Sequence, residues 1–380
     1  VLPWWKRQPP PASGGELQVH ILDVGPVDGD SILIISPAGK VVLIDAGDVG
    51  KGNKVVLDAL KRYGVQQIDY FIATHAHADH IGGAAEVIKA VKTVTVLHNG
   101  FPPPELTERE QAANQNNKNA KDKNQAGKQA NAKQQAKPAK TKGKSTELPT
   151  VKTYTEFKSA VEETGAEWKQ AQAGDKFDLG GGALLTVIAP VQPFFTEEQV
   201  RSGGGNLPNA NSIVMRLDYG DFNMMLAGDA ETVTEQRIIS KNVNPQTSVS
   251  LQAKILKVAH HGSKYATSEE FLSRVKPEVA IISDGEYNRY GHPSQVVLDR
   301  LKAAGVGKLF RTDVQGEITI TTKGKENDYQ IKTAKEGKDI KGDLWTGREA
   351  QKDDSERTGF IAYGDFGPPP RPPKEKTKRP

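Results

Sequence analysis

Three short apolar runs open the patterned part of the chain, over residues 17–22 (LQVHIL), 31–36 (SILIIS) and 41–45 (VVLID). Gly25, Gly29 and a Pro37-Ala-Gly39 turn separate them, which predicts consecutive antiparallel strands. Over 54–63, apolar residues at Val55, Val56, Ala59 and Leu60 recur at helical spacing, and Gly64 stops the run. The pattern then predicts a strand over 68–74, a helix over 82–92 and a strand over 93–97. After a break, it predicts a helix over 154–164 and strands over 184–188, 212–219, 223–227 and 254–259. A helix over 268–275, a strand over 279–283 and a helix over 294–304 follow, with last strands near 308–312 and 317–321. Two strand-rich halves, each carrying helices, predict an α+β fold: a four-layer αββα sandwich of two packed sheets with helices outside.

The pattern fails at both ends and in the middle. Residues 1–16 form an extended lead-in, and 326–380 a polar tail that becomes Pro- and Lys-rich. About 101–150 is an insertion of Gln, Asn, Lys and Ala without apolar periodicity. Such a segment buries too little surface to offset its ordering entropy and is expected to be disordered. The folded domain is therefore expected over 17–325. Within 111–150, nine Lys stand against Asp122 and Glu147, and the 366–380 end is also basic. The formal net charge of +4 thus conceals an acidic body. The lysines suit a solvated loop or a tether to nucleic acid or another anionic surface.

The chain has no Cys, which excludes disulfides and thiolate metal sites. A metal would be held by His, carboxylate or amide groups. No apolar run approaches the length of a membrane-spanning helix. A Cys-free chain numbered from Val1 points to a bacterial protein exported to the periplasm or medium, with the cytoplasm as the alternative. Nothing in the pattern sets the oligomeric state, and there is no GxxxxGK[ST] phosphate loop.

Three of the eight His, at positions 75, 77 and 80, stand with Asp79 at the end of the strand predicted over 68–74. In extended backbone His75 and His77 point the same way. Asp79 and His80 begin the turn into the next helix. One strand end can thus supply two nitrogens to one ion, and the turn a carboxylate and a nitrogen to another. Two ions about 3.5–4 Å apart share a bridging hydroxide that is nucleophilic at neutral pH.

The run Thr74-His-Ala-His-Ala-Asp-His80, followed by Ile81-Gly-Gly83, resembles the HxHxDH signature of the metallo-β-lactamase superfamily. Leu43-Ile-Asp-Ala-Gly47 and Leu226-Ala-Gly-Asp-Ala230 resemble its "LIDAG" and "GD" elements. Leu22-Asp-Val-Gly25 with Gly29-Asp-Ser31, Val258-Ala-His-His-Gly-Ser263 and Tyr290-Gly-His-Pro293 resemble the soluble domain of the ComEC-type DNA-uptake proteins. The resemblance covers 17–325 without the insertion. It implies the metallo-β-lactamase fold and two divalent metal ions, Zn or Mn. His75 and His77 would ligate one, Asp79 and His80 the other, and Asp229 would bridge them, with Asp79 acting in catalysis. His260 or His261 supplies the late ligand. His260 is favoured, which leaves His261 to contact phosphate as a catalytic group. Asp45 would fix a His tautomer. No His lies between His98 and His260, so Asn209 or Asn211 takes the place of a further His ligand. An amide oxygen is a harder donor and shifts preference towards manganese. The 23–30 segment is two residues longer than the family's usual DVGQGDA. His292 can protonate a leaving oxygen, hold a phosphate, or merely cap a helix. Gly262, Ser263 and Lys264 can bind an anion or form a simple turn.

The resemblance implies a ComEC-like nuclease or phosphodiesterase, with DNA or another phosphodiester as its partner. Two alternatives stay open: β-lactam or lactone hydrolysis by the same hydroxide, and a non-catalytic metal-binding module with a decayed site.

Overall fold

The computed structural model describes residues 15–26, 28–106, 149–201, 205–241, 249–287, 290–337 and 342–349. The lead-in, the basic insertion and the Pro-rich end expected from the sequence fall largely outside the described residues.

Among the described residues, fifteen strands form two sheets. The first contains β1 (Leu17–Ile21), β2 (Ile32–Ile35), β3 (Val41–Ile44), β4 (Gln67–Ala73), β5 (Lys92–His98), β6 (Glu167–Gln170), β14 (Ile318–Thr322) and β15 (Gln330–Thr333), in the order β15-β14-β1-β2-β3-β4-β5-β6. The second contains β7 (Lys176–Gly180), β8 (Ala183–Ala189), β9 (Val214–Tyr219), β10 (Phe222–Leu226), β11 (Ile255–Lys257), β12 (Val279–Ile282) and β13 (Lys308–Arg311), in the order β13-β12-β11-β10-β9-β8-β7. Each sheet is part parallel: β3 to β6 in the first, and β10 to β13 in the second.

The alternation along each strand explains the layers. On β3, Val42 and Ile44 enter the core between the sheets, while Val41 and Leu43 face the other way. That outer face is covered by Ala59, Leu60, Val87, Ile88, Phe157 and Val161, from helices Leu57–Arg62, Ala84–Ala90 and Pro149–Thr164. The second sheet is covered in the same way by Ile238, Phe271, Leu272, Val297, Leu298 and Leu301. Both faces of both sheets are buried, so the central strands read as unbroken apolar runs. The result is the αββα sandwich. Among the described residues no helix is long and apolar enough to cross a membrane.

Several elements differ from the sequence pattern. The helix expected from residue 82 is two helices, Ala78–Ile81 and Ala84–Ala90, so Asp79 and His80 sit inside the first of them. β6 and β7 were not predicted: β6 is a half-polar edge strand, and Gly180 and a register shift interrupt β7. Helix Thr232–Lys241 is also additional. Beyond residue 325 the chain is not only tail. β15 pairs with β14, and Arg311 donates to the carbonyls of Leu344 and Thr346.

His20 on β1 stacks on Tyr63 at 3.8 Å between ring centroids. Burial, aided by the Arg62 guanidinium, lowers it from 6.5 to about 4. The folded chain thus refuses a proton that the unfolded chain accepts, and stability falls as pH drops from about 6.5 towards 4. Between pH 7 and pH 4 the wild type should lose roughly 3 kcal/mol more stability than His20→Gln. Urea unfolding of both proteins at the two pH values measures the difference; equal losses would show that His20 does not carry it.

Candidate metal centre

The histidine cluster lies where strands of both sheets end at one edge of the sandwich. β3 ends at Ile44 and delivers Asp45; β4 ends at Ala73 and delivers Thr74 and His75. β10 leads to Asp229, and β11 to His260 and His261. Two backbone bonds close the joint: Ile213 N–H donates to Thr74 O at 3.0 Å, and His260 N–H to Gly228 O at 3.0 Å. The segment after His80 must be glycine. A Cβ on Gly83 would stand 2.4 Å from Ala46 O, because this turn packs directly on the Asp45 loop.

Asp45 is fully buried and holds the cluster from beneath. Its carboxylate accepts from Thr74 N–H at 2.8 Å and Thr74 Oγ1 at 2.7 Å, and it lies 2.8 Å from His80 Nδ1. This fixes the His80 tautomer and turns Nε2 towards Asp229 Oδ2, 3.3 Å away. His75 Nε2 lies 3.9 Å from the same Asp229 oxygen. His261 Nε2 lies 3.5 Å from Asp79 Oδ2 and 3.7 Å from Asp229 Oδ2. Two groups thus assemble, His75–His80–Asp229 and Asp79–His80–His261, with each group's donor atoms within 4.8 Å of one another. A third convergence, Asp30–Asp45–His80, is already internally paired: Lys257 Nζ sits 2.6 Å from Asp30, and Thr74 and His80 occupy Asp45.

The donors suit divalent cations. Both oxygens of Asp229, Nε2 of His80 and Nε2 of His261 are buried without a partner in hydrogen-bond geometry. Unsatisfied polar atoms of this kind are costly in a protein interior. Charge agrees. Asp30, Asp45 and Asp229 are buried, Asp79 is partly so, and Lys257 answers one of the four. Burial works against a protonated His80, yet Asp229, Asp79 and Asp45 together raise it well above its usual range. His261 is raised to about 9 in the same contest, chiefly by Asp229 and Asp79. Burial also opposes the Asp79 and Asp229 carboxylates, but the imidazoles hold both below their usual range. His75 is lowered well below its own, by burial and by the neighbouring histidines. The pocket draws in positive charge while keeping several imidazole lone pairs available.

Both late histidines face Asp229. His261 is buried, points at Asp79 and Asp229, and is held by its Nδ1 against Ser283 O at 2.9 Å. His260 is in neither group, and its Nε2 is 3.9 Å from Asp229. The local backbone is left-handed: φ is +49° at His260, +51° at His261 and +85° at Gly262. Three left-handed residues coil the chain so that both rings turn to Asp229, the second buried more deeply. The same turn removes the anion cradle expected at Gly262 and Ser263. Their N–H groups donate to Ala259 O and His260 O, and of the three residues named for that role only Lys264 is exposed.

Asn209 and Asn211 separate cleanly. Asn211 is consumed structurally: its Oδ1 accepts from Phe195 N–H and its Nδ2 donates to Leu207 O. Asn209 turns its amide N–H towards Glu231 and His260 and interacts with His77. His292 Nδ1 is 3.6 Å from Asp28 Oδ2, and its ring lies 5.4 Å from that of His260 and 6.4 Å from that of His261. Lys257 and Glu231 carried no sequence signal of a site role. Lys257 sits on an apolar strand, and only the fold brings it to Asp30. Glu231 accepts from Asn206 N–H, and burial pushes its carboxyl up to about 8. Asp28 and Asp30, in the lengthened 23–30 loop, reach the site because Asp30 N–H donates to Asp79 O at 3.3 Å and Ser283 Oγ to Gly29 O.

Comparison with known proteins agrees with the fold. The chain is 27% identical over 338 residues to ComE operon protein 3 of Bacillus subtilis, covering 84% of this chain and 35% of that protein. It is 26% identical over 310 residues to Recombination protein 2 of Haemophilus influenzae, covering 80% of this chain and 28% of that one. The chain therefore spans about a third of the length of these curated relatives. Among solved structures it is similar to Igni18, a metallo hydrolase from Ignicoccus hospitalis, with a TM-score of 0.41, 13% identity, and coverage of 81% of this chain and 98% of that one. The family model of the metallo-beta-lactamase superfamily matches residues 24–283, which hold every donor of the two groups, and the chain belongs to that superfamily.

Proposed function

We propose that this chain is a two-metal phosphodiesterase of the nuclease type. The observation that carries the reading is the convergence of Asp229, His80 and His261, buried and unsatisfied, on one space beside His75 and Asp79. His75, His77 and the amide oxygen of Asn209 would hold one ion, and Asp79, His80 and His261 the other, with Asp229 shared. When bound, two divalent ions supply Lewis acidity and a water acidic enough to attack at neutral pH.

The remaining residues prepare that chemistry. Asp45 locks His80, and the Lys257–Asp30 pair stands behind His261, with Asp30 Oδ1 3.6 Å from its Nδ1. Asp79 is the donor that faces the opening, its side chain 32% exposed against 1% for Asp229. His292, whose Nδ1 lies 3.6 Å from Asp28 Oδ2, would deliver a proton to a departing oxygen. The amide of Asn209 and the carboxylates of Asp79 and Asp229 add oxygen donors to the imidazoles, which would lower the preference for zinc and admit manganese. The absence of any Cys and the amide at position 209 weigh against β-lactam hydrolysis. A relative named for recombination supports a nucleic-acid phosphodiester as substrate.

Removing His261 should cost one ion: metal analysis of the reloaded protein should find about one equivalent in His261→Ala and about two in His260→Ala. Two equivalents in His261→Ala would return the ligand role to His260.

Metal-depleted protein reloaded with Mn²⁺ should cleave single-stranded DNA and bis-p-nitrophenyl phosphate faster than the Zn²⁺ form. His77→Ala should lose at least about 100-fold in both while keeping its circular dichroism spectrum. Nitrocefin turnover without phosphodiester cleavage would replace this reading with a lactamase one. Phosphodiester cleavage surviving in His77→Ala would remove the two-metal mechanism.

A further inference from the structure

Large apolar side chains that are exposed among the described residues are Val49, Val94, Tyr265, Tyr287, Tyr290 and Val296. All but Val94 stand on segments that carry or adjoin the metal centre. Val49 follows the Asp45 loop, Tyr265 the His260–Gly262 turn, and Tyr287 and Tyr290 flank the approach to His292. Val296 lies in the first turn of the helix after His292. Of these rings, Tyr290 is tied to the site directly, by its stacking on His292.

We propose that these tyrosines, Tyr290 foremost, stack the bases of single-stranded nucleic acid beside the metal centre and so select unpaired bases. This rests on the phosphodiesterase reading and adds to it what the site recognises. The rings form a path out of the centre. His260 and His292 meet edge to face at 5.4 Å, and His292 stacks with Tyr290 at 5.6 Å and 24° between planes. His292 is 8% exposed and Tyr290 46%, so the path ends on an open aromatic face.

The backbone at Tyr287 and around Tyr265 is held by hydrogen bonds while both rings are exposed. Tyr287 N–H donates to Pro26 O at 2.7 Å. Tyr265 O accepts from Thr232 N–H and Oγ1, and Arg300 Nη1 donates to Lys264 O and Ala266 O. Rings presented on a fixed backbone lose little freedom on binding. The charges at this rim are mixed. Lys264 Nζ lies 5.1 Å from the Tyr265 ring, and Lys51 Nζ sits against Gly25, but Glu286 is exposed next to Tyr287. Among the described residues the rim has no one-sided positive charge, and stacking would add what charge does not. Every base has a π-face, so the contact tolerates any sequence, whereas a duplex keeps its bases stacked on one another.

The test is binding rather than turnover, so it reads the rim separately from the chemistry. The full chain carrying His77→Ala is titrated against fluorescein-labelled oligothymidylate of twelve nucleotides, and against an abasic strand of the same length. Salt is held at 0.3 M to suppress the contribution of the lysine-rich segments. The base-bearing strand should bind about tenfold more tightly than the abasic one. Tyr290→Ala should erase most of that ratio, and Tyr290→Phe should keep it. Equal affinity for the two strands, no binding of either, or an unchanged ratio in a chain with Tyr265, Tyr287 and Tyr290 all replaced by Ala would overturn the proposal. Base-dependent binding in a chain without phosphodiesterase activity would leave the rim standing and remove the catalytic reading instead.

Discussion

The molecule is organised around negative charge that it buries at the joint of its two sheets. Asp30, Asp45 and Asp229 lie inside, and Asp79 lies at their mouth. A carboxylate removed from water costs several kcal/mol unless it is paired. The fold pairs each one differently. Asp30 has a buried lysine. Asp45 has a backbone N–H, a hydroxyl and an imidazole. Asp79 and Asp229 lie among imidazole nitrogens, with His261 Nε2 3.5 Å from Asp79 and His80 Nε2 3.3 Å from Asp229, and they would be the pair left for cations. This division separates the groups that support the site from those that work in it.

The architecture makes that burial possible. Strand ends from both sheets meet at one edge, so every donor rests on an element covered on both faces. Local strain completes the assembly. Asp45, His260 and His261 all take positive φ, a conformation that costs non-glycine residues on the order of 1–3 kcal/mol each. At Asp45 it turns the carboxylate under His80. At the two histidines it turns both rings to Asp229, the second buried more deeply. Such strain persists because the surroundings over-determine it: Gly83 against Ala46, Ser283 against His261, and Gly228 against His260.

These facts explain what could be read from the sequence. The His75–His80 run was legible because its donors lie within one strand end and one helical turn, where spacing fixes direction. The sandwich was legible because strands buried on both faces leave unbroken apolar runs. Edge strands β6 and β7 left no such run, and β15 hid in a polar stretch. The order of His260 and His261 was not legible, since it turns on backbone angles that two adjacent histidines do not announce. Neither was Lys257: a lysine at the end of an apolar strand looks exposed until Asp30 arrives from a loop more than two hundred residues earlier. Asn209 and Asn211 looked equivalent in sequence, and only their partners distinguish a ring-facing amide from a structural one.

The same excess of negative charge constrains how a nucleic acid could approach. For a phosphodiester substrate, the carboxylates of Asp79 and Asp229 would repel phosphate until cations occupied the centre, and metal binding would then precede substrate binding. The body of the chain is acidic, and its lysines concentrate in segments far along the sequence from the cluster. Attraction over a distance therefore falls to those basic segments, and it weakens with salt. Contact at the opening falls to groups that work without net charge, and the exposed rings of Tyr265, Tyr287 and Tyr290 are of that kind. A site that must first repel its substrate's backbone gains most from holding its bases.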